Sequence, residues 1–155
     1  MADGDDSSAI WKGKPITQGE WAGWSAYSGD PFEDLTGPFY CRTEASGQVV
    51  CAFRAERRHM NGSGAMHGGC LLTFVDYAIF MIGRDALIDS GSVTASMNAE
   101  FIDGSREGEL IEARGEVVRA GGSMVFLRGL VTTGGRPLLN FSAIIKKIRR
   151  REQAR

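Results

Sequence analysis

The residues best suited to chemistry lie between Asn61 and Asp76, where a polar glycine-containing loop runs into an apolar segment. Gly68 and Gly69 stand at the junction of the loop and that segment. The first N–H groups of a helix lack partners and carry partial positive charge, and glycine lets a ligand approach them closely. The pair could therefore polarise a carbonyl or bind an anion. Alternatively, both glycines only allow helix and sheet to pack closely, and these two residues alone do not decide.

Asp76 is the only charged residue between Gly68 and Gly83. A carboxylate in an apolar helix is costly to bury unless it is paired or functional. Such surroundings tend to raise the pKa of a carboxyl group, which suits a general base. The alternative interpretation is a structural aspartate bonded to a neighbouring N–H or hydroxyl.

Spacing along the helix constrains how these groups could work together. Asp76 comes eight residues after Gly68, which is about 12 Å on one helix. A base and an oxyanion donor must both lie within about 3 Å of one reacting group or its water. If both are catalytic, a second copy of the chain must therefore lay its helix antiparallel alongside. The hypothesis predicts a two-fold oligomer with two equal sites.

The elements that must position these residues follow from the pattern along the chain of 155 residues, which is the length of one domain. Hydrophobic residues without clear amphipathicity over Gly68 to about Leu87 predict one long buried helix. Strands are predicted before and after it, with hairpin turns at residues 45–47, 121–122 and 134–135. Their expected ranges are Phe39–Glu44, Gln48–Ala55, Ser92–Ile102, Leu110–Ala120, Met124–Thr133 and Leu138–Ile148. A curved antiparallel sheet around the helix would supply the apolar partners that it needs.

Both ends of the chain differ from this body. Residues 1–14 are polar and acidic, which predicts a loosely attached tail. The tryptophan-rich stretch of residues 15–37 predicts one or two short helices over the main body. Residues 149–155 continue a basic cluster. The expected division is therefore residues 1–37 as tail and short helices, 38–148 as the domain, and 149–155 as a basic tail.

Composition excludes several classes of protein. The net charge of −1 argues against a general nucleic-acid binder. Three cysteines without a Cys-x-x-Cys pair, and two histidines, predict neither a disulfide framework nor a metal site. The longest apolar stretch has 16 residues and one aspartate, so its length of about 24 Å falls short of a membrane core. Without the pattern of a signal peptide, we expect a cytoplasmic protein.

The pattern Asn-x5-His-Gly-Gly-x6-Asp, from Asn61 to Asp76, resembles the signature of hotdog-fold thioesterases of the phenylacetate-degradation (PaaI-like) group. The resemblance covers about Pro38 to Ile148, and the segment Val93–Phe101 is similar to the strand that follows the helix in that group. It implies an α+β hotdog fold, in which a curved antiparallel sheet wraps around one long central helix. It also implies an acyl-coenzyme A thioesterase that acts as a dimer, or a tetramer of two dimers, without a cofactor beyond the coenzyme A of its substrate.

The resemblance also implies roles for individual residues. The N–H of Gly68 would polarise the thioester carbonyl, and Asn61 would support the loop or the carbonyl. Asp76 of the partner subunit would activate water or attack directly. Thr94 would help to place the water, although a strand threonine is often only a strand former. His67 would mostly hold the loop by hydrogen bonds, beside the substrate.

Contacts for the rest of the substrate are less specific. Gly69 and the turn Gly121-Gly122-Ser123 could offer N–H groups to the substrate or its phosphates. Basic candidates are Arg57, Arg58, Arg119 and the cluster Lys146–Arg151, for which a solvated surface charge is the simpler interpretation. We expect His59 to be a surface residue. The acyl pocket would draw on apolar residues near the start of the helix.

Two other functions remain open at this point, because a fold alone does not fix function. A hotdog dehydratase or hydratase would need a histidine paired with an acidic residue and a different glycine-proline motif, which the sequence lacks. A non-catalytic module that binds an acyl ligand would not need Asp76, Gly68 and Asn61 together. Those three residues therefore favour catalysis.

Overall fold

The computed structural model describes residues 13–88 and 90–148. In this part of the chain one antiparallel sheet curves around a long helix, which confirms the predicted α+β architecture. The sheet has the strand order β1-β2-β3-β4-β6-β7-β8-β5. Its strands are β1 (Lys14–Pro15), β2 (Ser25–Ala26), β3 (Tyr40–Thr43), β4 (Val49–Arg54), β5 (Gly91–Phe101), β6 (Leu110–Ala120), β7 (Met124–Thr133) and β8 (Arg136–Ile148).

The long helix α2 (Gly68–Gly83) lies in the concave side of the sheet and packs on its central strands. Its apolar side chains fill the core with Phe39, Phe53 and Phe141. The helix was predicted to reach about Leu87, but it ends at Gly83 and the chain continues as a 3₁₀ turn, Arg84–Ala86. Over the described residues, no helix combines the length and the hydropathy that crossing a bilayer requires.

The hairpin strands lie where the glycine turns predict them. Strands β6 and β7 begin and end at the predicted residues. Strand β8 starts at Arg136, two residues earlier than predicted, and Pro137 lies inside it rather than before it. The pairing of β7 with β8 is irregular between Val131 and Thr132, where Pro137 pairs. Proline tolerates such a position because the regular ladder is interrupted there.

The segment before the domain has the short helix that was predicted and, in addition, two short strands that were not. It contains one helix, α1 (Pro31–Thr36), and the short strands β1 and β2, which extend the sheet beyond β3. Trp21 stacks on Tyr40, and Trp24 covers Val50 and Ala52. The loosely attached tail was predicted to run to residue 14, but Lys14 already pairs in β1. Residues 1–12, and residues 149–155 with their basic side chains, lie outside the described residues.

Strand β5 forms one edge of the described sheet, because it pairs only with β8. Its register shifts between Thr94 and Ser96, so that Ala95 has no partner across the ladder. Such a bulge rotates the strand and changes which residues face each side. Thr94 lies on the helix side before the bulge, while Met97 and Ala99 pack on the core after it.

Candidate active site

The helix α2 has a closed face and an open face. The closed face, with Leu71, Phe74, Val75 and Ala78, is fully covered by the sheet. The open face carries Gly69, Thr73, Asp76 and Phe80, which all keep some exposure. Helix α1 lies beside this face without covering it. The one acidic residue of α2 is thus on the side that the sheet leaves accessible.

The hydroxyl of Thr94 donates a hydrogen bond of 2.6 Å to Oδ1 of Asp76. The distance is short, as expected for a charge-assisted bond from a hydroxyl to a carboxylate. Asp76 also lines a pocket of about 610 Å³ between α2 and the segment leading into α1. The carboxylate is therefore held in place on one side and open to a small molecule on the other.

The loop before α2 is organised by Asn61. Its Oδ1 accepts hydrogen bonds from the N–H and the hydroxyl of Ser63 and from the N–H of Ala65. The backbone of Asn61 also pairs with Ala65, which closes the loop. Of the two roles considered for Asn61, the geometry places its side-chain oxygen in support of the loop.

His67 forms the N-cap of α2, because its Nδ1 accepts a 2.9 Å hydrogen bond from the N–H of Gly69. The Gly69 N–H, considered above for substrate binding, is therefore occupied. Among the described residues, no group accepts a hydrogen bond from the N–H of Gly68. A side chain at Gly68 would lie 3.2 Å from the ring of Phe101 on strand β5. Gly68 is thus the residue whose N–H is free to donate, and it lies in a narrow space beside an aromatic ring.

His59 was expected on the surface, and that prediction is wrong, because only 4% of the residue is exposed. Its ring packs edge-on against Phe53. Nδ1 accepts from the N–H of Glu56, so the protonated Nε2 donates to the carbonyl of Thr36 at 2.8 Å. Burial lowers the pKa of His59 below its ordinary value. His59 therefore fastens the end of α1 to the body of the domain.

Arg58 also fastens α1 to the body of the domain. It was a candidate contact for a substrate phosphate, but its guanidinium donates to the carbonyls of Leu35 and Gly37 and pairs with Glu56. At the other end of α1, Asp30 caps the helix by accepting from the N–H groups of Phe32 and Glu33. Helix α1 is therefore fixed at both ends beside the open face of α2.

A second pocket, of about 570 Å³, lies between α1 and the start of α2. Its apolar lining comes from Phe32, Leu35, Met60 and Cys70. Burial raises the pKa of the Cys70 thiol to about 11, so it stays protonated at neutral pH and is a poor nucleophile. Within residues 13–88 and 90–148, no three His, Cys, Asp or Glu side chains group in a way that could hold a metal ion.

Sequence patterns missed Glu33, on α1. It lines the same 610 Å³ pocket as Asp76. Burial, followed by the charges of Asp30, Asp76 and Asp34, raises the pKa of Glu33 to about 7. No local signal marks it, since its approach to Asp76 depends on how α1 packs against α2.

The remaining candidates lie away from this pocket. In the turn after β6, the N–H of Gly121 bonds to the carbonyl of Met124, while Gly122 and Ser123 are exposed. Ser123 also accepts from Lys147 of β8 through its carbonyl. Arg57, Arg119 and Lys146 are exposed as well. Of the three N–H groups in this turn, those of Gly122 and Ser123 could therefore contact a ligand, while that of Gly121 is already bonded.

The chain is similar to known thioesterases and esterases. The model of the thioesterase superfamily matches residues 63–139. A putative esterase of Pseudomonas aeruginosa is 29% identical over 119 residues, which cover 76% of this chain and 89% of that protein. Human acyl-coenzyme A thioesterase 13 is 28% identical over 95 residues, or 61% of this chain and 68% of that protein.

Solved structures share the fold. The PaaI protein from the phenylacetic acid degradation operon of E. coli superposes with a TM-score of 0.67 at 17% identity, covering 77% of this chain and 85% of that one. A hypothetical thioesterase of Streptococcus pneumoniae, solved with coenzyme A, gives a TM-score of 0.66 at 16% identity, with coverage of 80% and 100%. The predicted hotdog fold is confirmed.

Proposed function

Because the chain belongs to the thioesterase superfamily, we propose that it hydrolyses acyl-coenzyme A thioesters at a site that two subunits share. Asp76 of one subunit acts as a general base on water. The Gly68 N–H of the other polarises the thioester carbonyl and stabilises the oxyanion that forms. No metal or redox cofactor is needed, since a thioester is already activated.

The observation that carries this proposal is the hydrogen bond from Thr94 to Asp76 on the open face of α2. The bond leaves Oδ2 of Asp76 free to accept a proton from water in the adjoining pocket. A structural aspartate would use both oxygens within the fold. Among the described residues, no other hydrogen bond or ion pair involves this carboxylate.

The arrangement of α2 supports a shared site. Gly68 and Asp76 lie on one straight helix, about 12 Å apart, so one subunit cannot bring both to the same carbonyl. Strand β5 has a free edge in the described sheet, and the open face of α2 lies on the accessible side of the subunit. Pairing two copies along β5 would bring the two helices together antiparallel. We propose a dimer, or a tetramer of two such dimers.

The pocket at the start of α2 suits the acyl group, because Phe32, Leu35 and Met60 give it an apolar wall. Its volume of about 570 Å³ accommodates an aryl or a medium-chain acyl group. The nucleotide end would then reach exposed cations and the turn at residues 121–123. The three free thiols of Cys41, Cys51 and Cys70 suit a reducing compartment, and we propose the cytoplasm.

Asp76→Asn tests this function, since the amide keeps the shape of the side chain and cannot take a proton. We expect kcat to fall about 10²- to 10⁴-fold. The measurement is release of free thiol from a panel of short, medium and aryl acyl-coenzyme A thioesters. Asp85→Asn, at an exposed aspartate beyond the end of α2, is the matched control and should keep full activity.

Two outcomes would contradict the proposal. Unchanged turnover in Asp76→Asn removes Asp76 from the mechanism, and tight binding of acyl-coenzyme A without hydrolysis by the native protein identifies a non-catalytic module. The shared site has its own test, in which Asp76→Asn subunits and Gly68→Val subunits, each inactive alone, are mixed and reassembled. The mixture should regain about a quarter to a half of the native activity per dimer. Full activity in a dilute monomer would exclude sharing.

A further inference from the structure

We propose that Glu33 is a second catalytic carboxyl of this site, which holds a proton beside the base Asp76 and gives that proton to the departing thiolate. This inference rests on the proposed hydrolysis of a thioester. It concerns a segment that precedes the residues matched by the family model, which begin at residue 63.

The position of Glu33 is the first argument. Its half-buried side chain lines the 610 Å³ pocket of Asp76 and also a smaller pocket of about 240 Å³ beneath α1. Among the described residues, its carboxyl has no hydrogen-bond or ion-pair partner. A half-buried carboxyl without a partner is costly in the ionised form, so this environment favours the neutral acid.

The attachment of α1 is the second argument. The Asp30 cap fixes the start of the helix, and the bonds from Arg58 and His59 fix its end. Glu33 lies between these two fixed ends, so the fold determines its position relative to Asp76. A surface helix of six residues is too short to be stable by itself, and these tertiary bonds hold it.

The third argument is Tyr77, which lines the smaller pocket with Glu33 and is only 2% exposed. Among the described residues, its hydroxyl finds no conventional hydrogen-bond partner, and the polar group beside it is the Cys41 thiol, a weak acceptor. An unsatisfied buried hydroxyl in a polar pocket is a site for bound water. Such water would connect Tyr77 to the far side of Glu33 and provide a route for proton exchange.

Charge around Glu33 agrees with a retained proton. The groups that face it from α1, α2, the segment before α1 and a second 3₁₀ turn, Arg57–His59, are Asp30, Asp34, Asp76, Tyr77, Lys14, Tyr27 and Arg58. Burial, followed by the charges of Asp30, Asp76 and Asp34, raises the pKa of Glu33 to about 7. At neutral pH a substantial fraction of the enzyme therefore holds Glu33 as the neutral acid beside the proposed base Asp76, an arrangement typical of acid–base pairs.

The proposed step is balanced. Asp76 takes a proton from water while the water oxygen forms a bond to the thioester carbonyl carbon. The tetrahedral intermediate then collapses, the C–S bond breaks with its electron pair on sulfur, and Glu33 protonates that sulfur. Asp76 returns its proton to Glu33 through water in the pocket, and the carboxylic acid product releases its own proton to solvent.

Glu33→Gln tests the role, because it keeps the size of the side chain and removes the acid. We compare one acyl group attached to an alkyl thiol, N-acetylcysteamine, and to thiophenol, whose thiolate is far less basic. The variant should lose about 10²-fold in kcat with the alkyl thioester, and little with the aryl thioester, which departs without a proton. Glu107→Gln, at an exposed glutamate in the turn before β6, is the matched control and should keep full activity with both thioesters.

A titration tests the pair independently of turnover. Carboxyl carbons are followed by carbon-13 NMR in the native oligomer, and the Glu33 signal is identified by its absence in Glu33→Gln. The signal should titrate near pH 7, and its midpoint should fall in Asp76→Asn, because a neighbouring negative charge has been removed. A midpoint at the ordinary value for glutamate overturns the proposal.

The outcomes separate this proposal from the proposed function. Equal losses with both thioesters overturn proton donation by Glu33, and so does an unchanged Glu33→Gln enzyme that still hydrolyses acyl-coenzyme A. Both results leave the thioesterase function standing. A native protein that cleaves no thioester contradicts the function itself and, with it, the catalytic role of Glu33.

Discussion

The two faces of α2 differ in what their residues contact. Phe74 on the closed face meets the rings of Phe39 and Phe53, with centroids 5.3 and 4.7 Å away. Asp76, two residues later, meets a hydroxyl and a pocket. The apolar composition of the whole helix hides this division, because half-exposed apolar residues such as Leu72 and Phe80 continue onto the open face.

The difference shows how one helix serves two purposes. Dense packing on the closed face stabilises the domain and fixes the helix, as interiors of close-packed side chains do. A fixed helix then presents a rigid base for Asp76 and for the N–H of Gly68, which catalysis requires. Substitutions on the closed face should therefore change stability, and those on the open face should change activity.

The largest expected effect is on the closed face. Phe74→Ala removes a fully buried ring and should lower the free energy of unfolding by about 3–5 kcal/mol. Chemical denaturation measures the change. Thr73→Ala, one residue earlier on the open face, should change stability by less than about 0.5 kcal/mol. Similar losses in the two variants would show that both faces are packed.

A smaller effect is expected beside the open face, at Thr94. Thr94→Val keeps the shape and suits a strand, but it removes the bond that orients Asp76. A hydrogen bond to a charged group contributes about 1.5–3 kcal/mol, so kcat should fall by about 10- to 10²-fold. Thr94→Ser retains the hydroxyl and should recover most of the activity. If valine is as active as threonine, Thr94 is only a strand former.

The smallest effect concerns His59, which joins α1 to the domain. Burial lowers its pKa in the folded protein, so the unfolded chain binds a proton first as the pH falls. The contribution of His59 should therefore be complete above about pH 6.5, the ordinary pKa of histidine, and should decrease below it. Glu33 has the opposite effect in this range, because its raised pKa lets the folded protein bind a proton first. The free energy of unfolding is therefore measured from pH 8 to 5 in the Glu33→Gln variant, where the slope should persist on adding His67→Asn and disappear on adding His59→Asn. A flat profile in Glu33→Gln itself would contradict the assignment.

Local pattern predicted what depends on local sequence. The glycine turns define the ends of β6 and β7, and the His67-Gly68 junction defines the start of α2. Leu87 was assigned to α2 because it is apolar, but it packs in the core from the position just after the 3₁₀ turn. Apolar character alone does not distinguish a buried residue inside a helix from a buried residue that follows the helix.

The parts that could not be predicted depend on contacts between distant segments. His59 is surrounded by polar residues in sequence, yet it is buried by Phe53 and bonded to Thr36. Glu33 belongs to a polar stretch, and its environment arises only when α1 packs along α2. The strands β1 and β2 have two residues each, which is too short for an alternating pattern to appear.

The bulge at Ala95 makes strand β5 one residue longer than its pairing with β8 requires. Thr94 and Met97 both face the helix only because one unpaired residue separates the two halves of the strand. Many side chains at position 95 should be acceptable, since its own side chain is exposed. Deletion of that single residue would leave Thr94, Ser96 and Met97 in regular alternation, with Thr94 and Met97 still on the helix side, so in a library of natural or designed variants position 95 should tolerate gaps as well as substitutions.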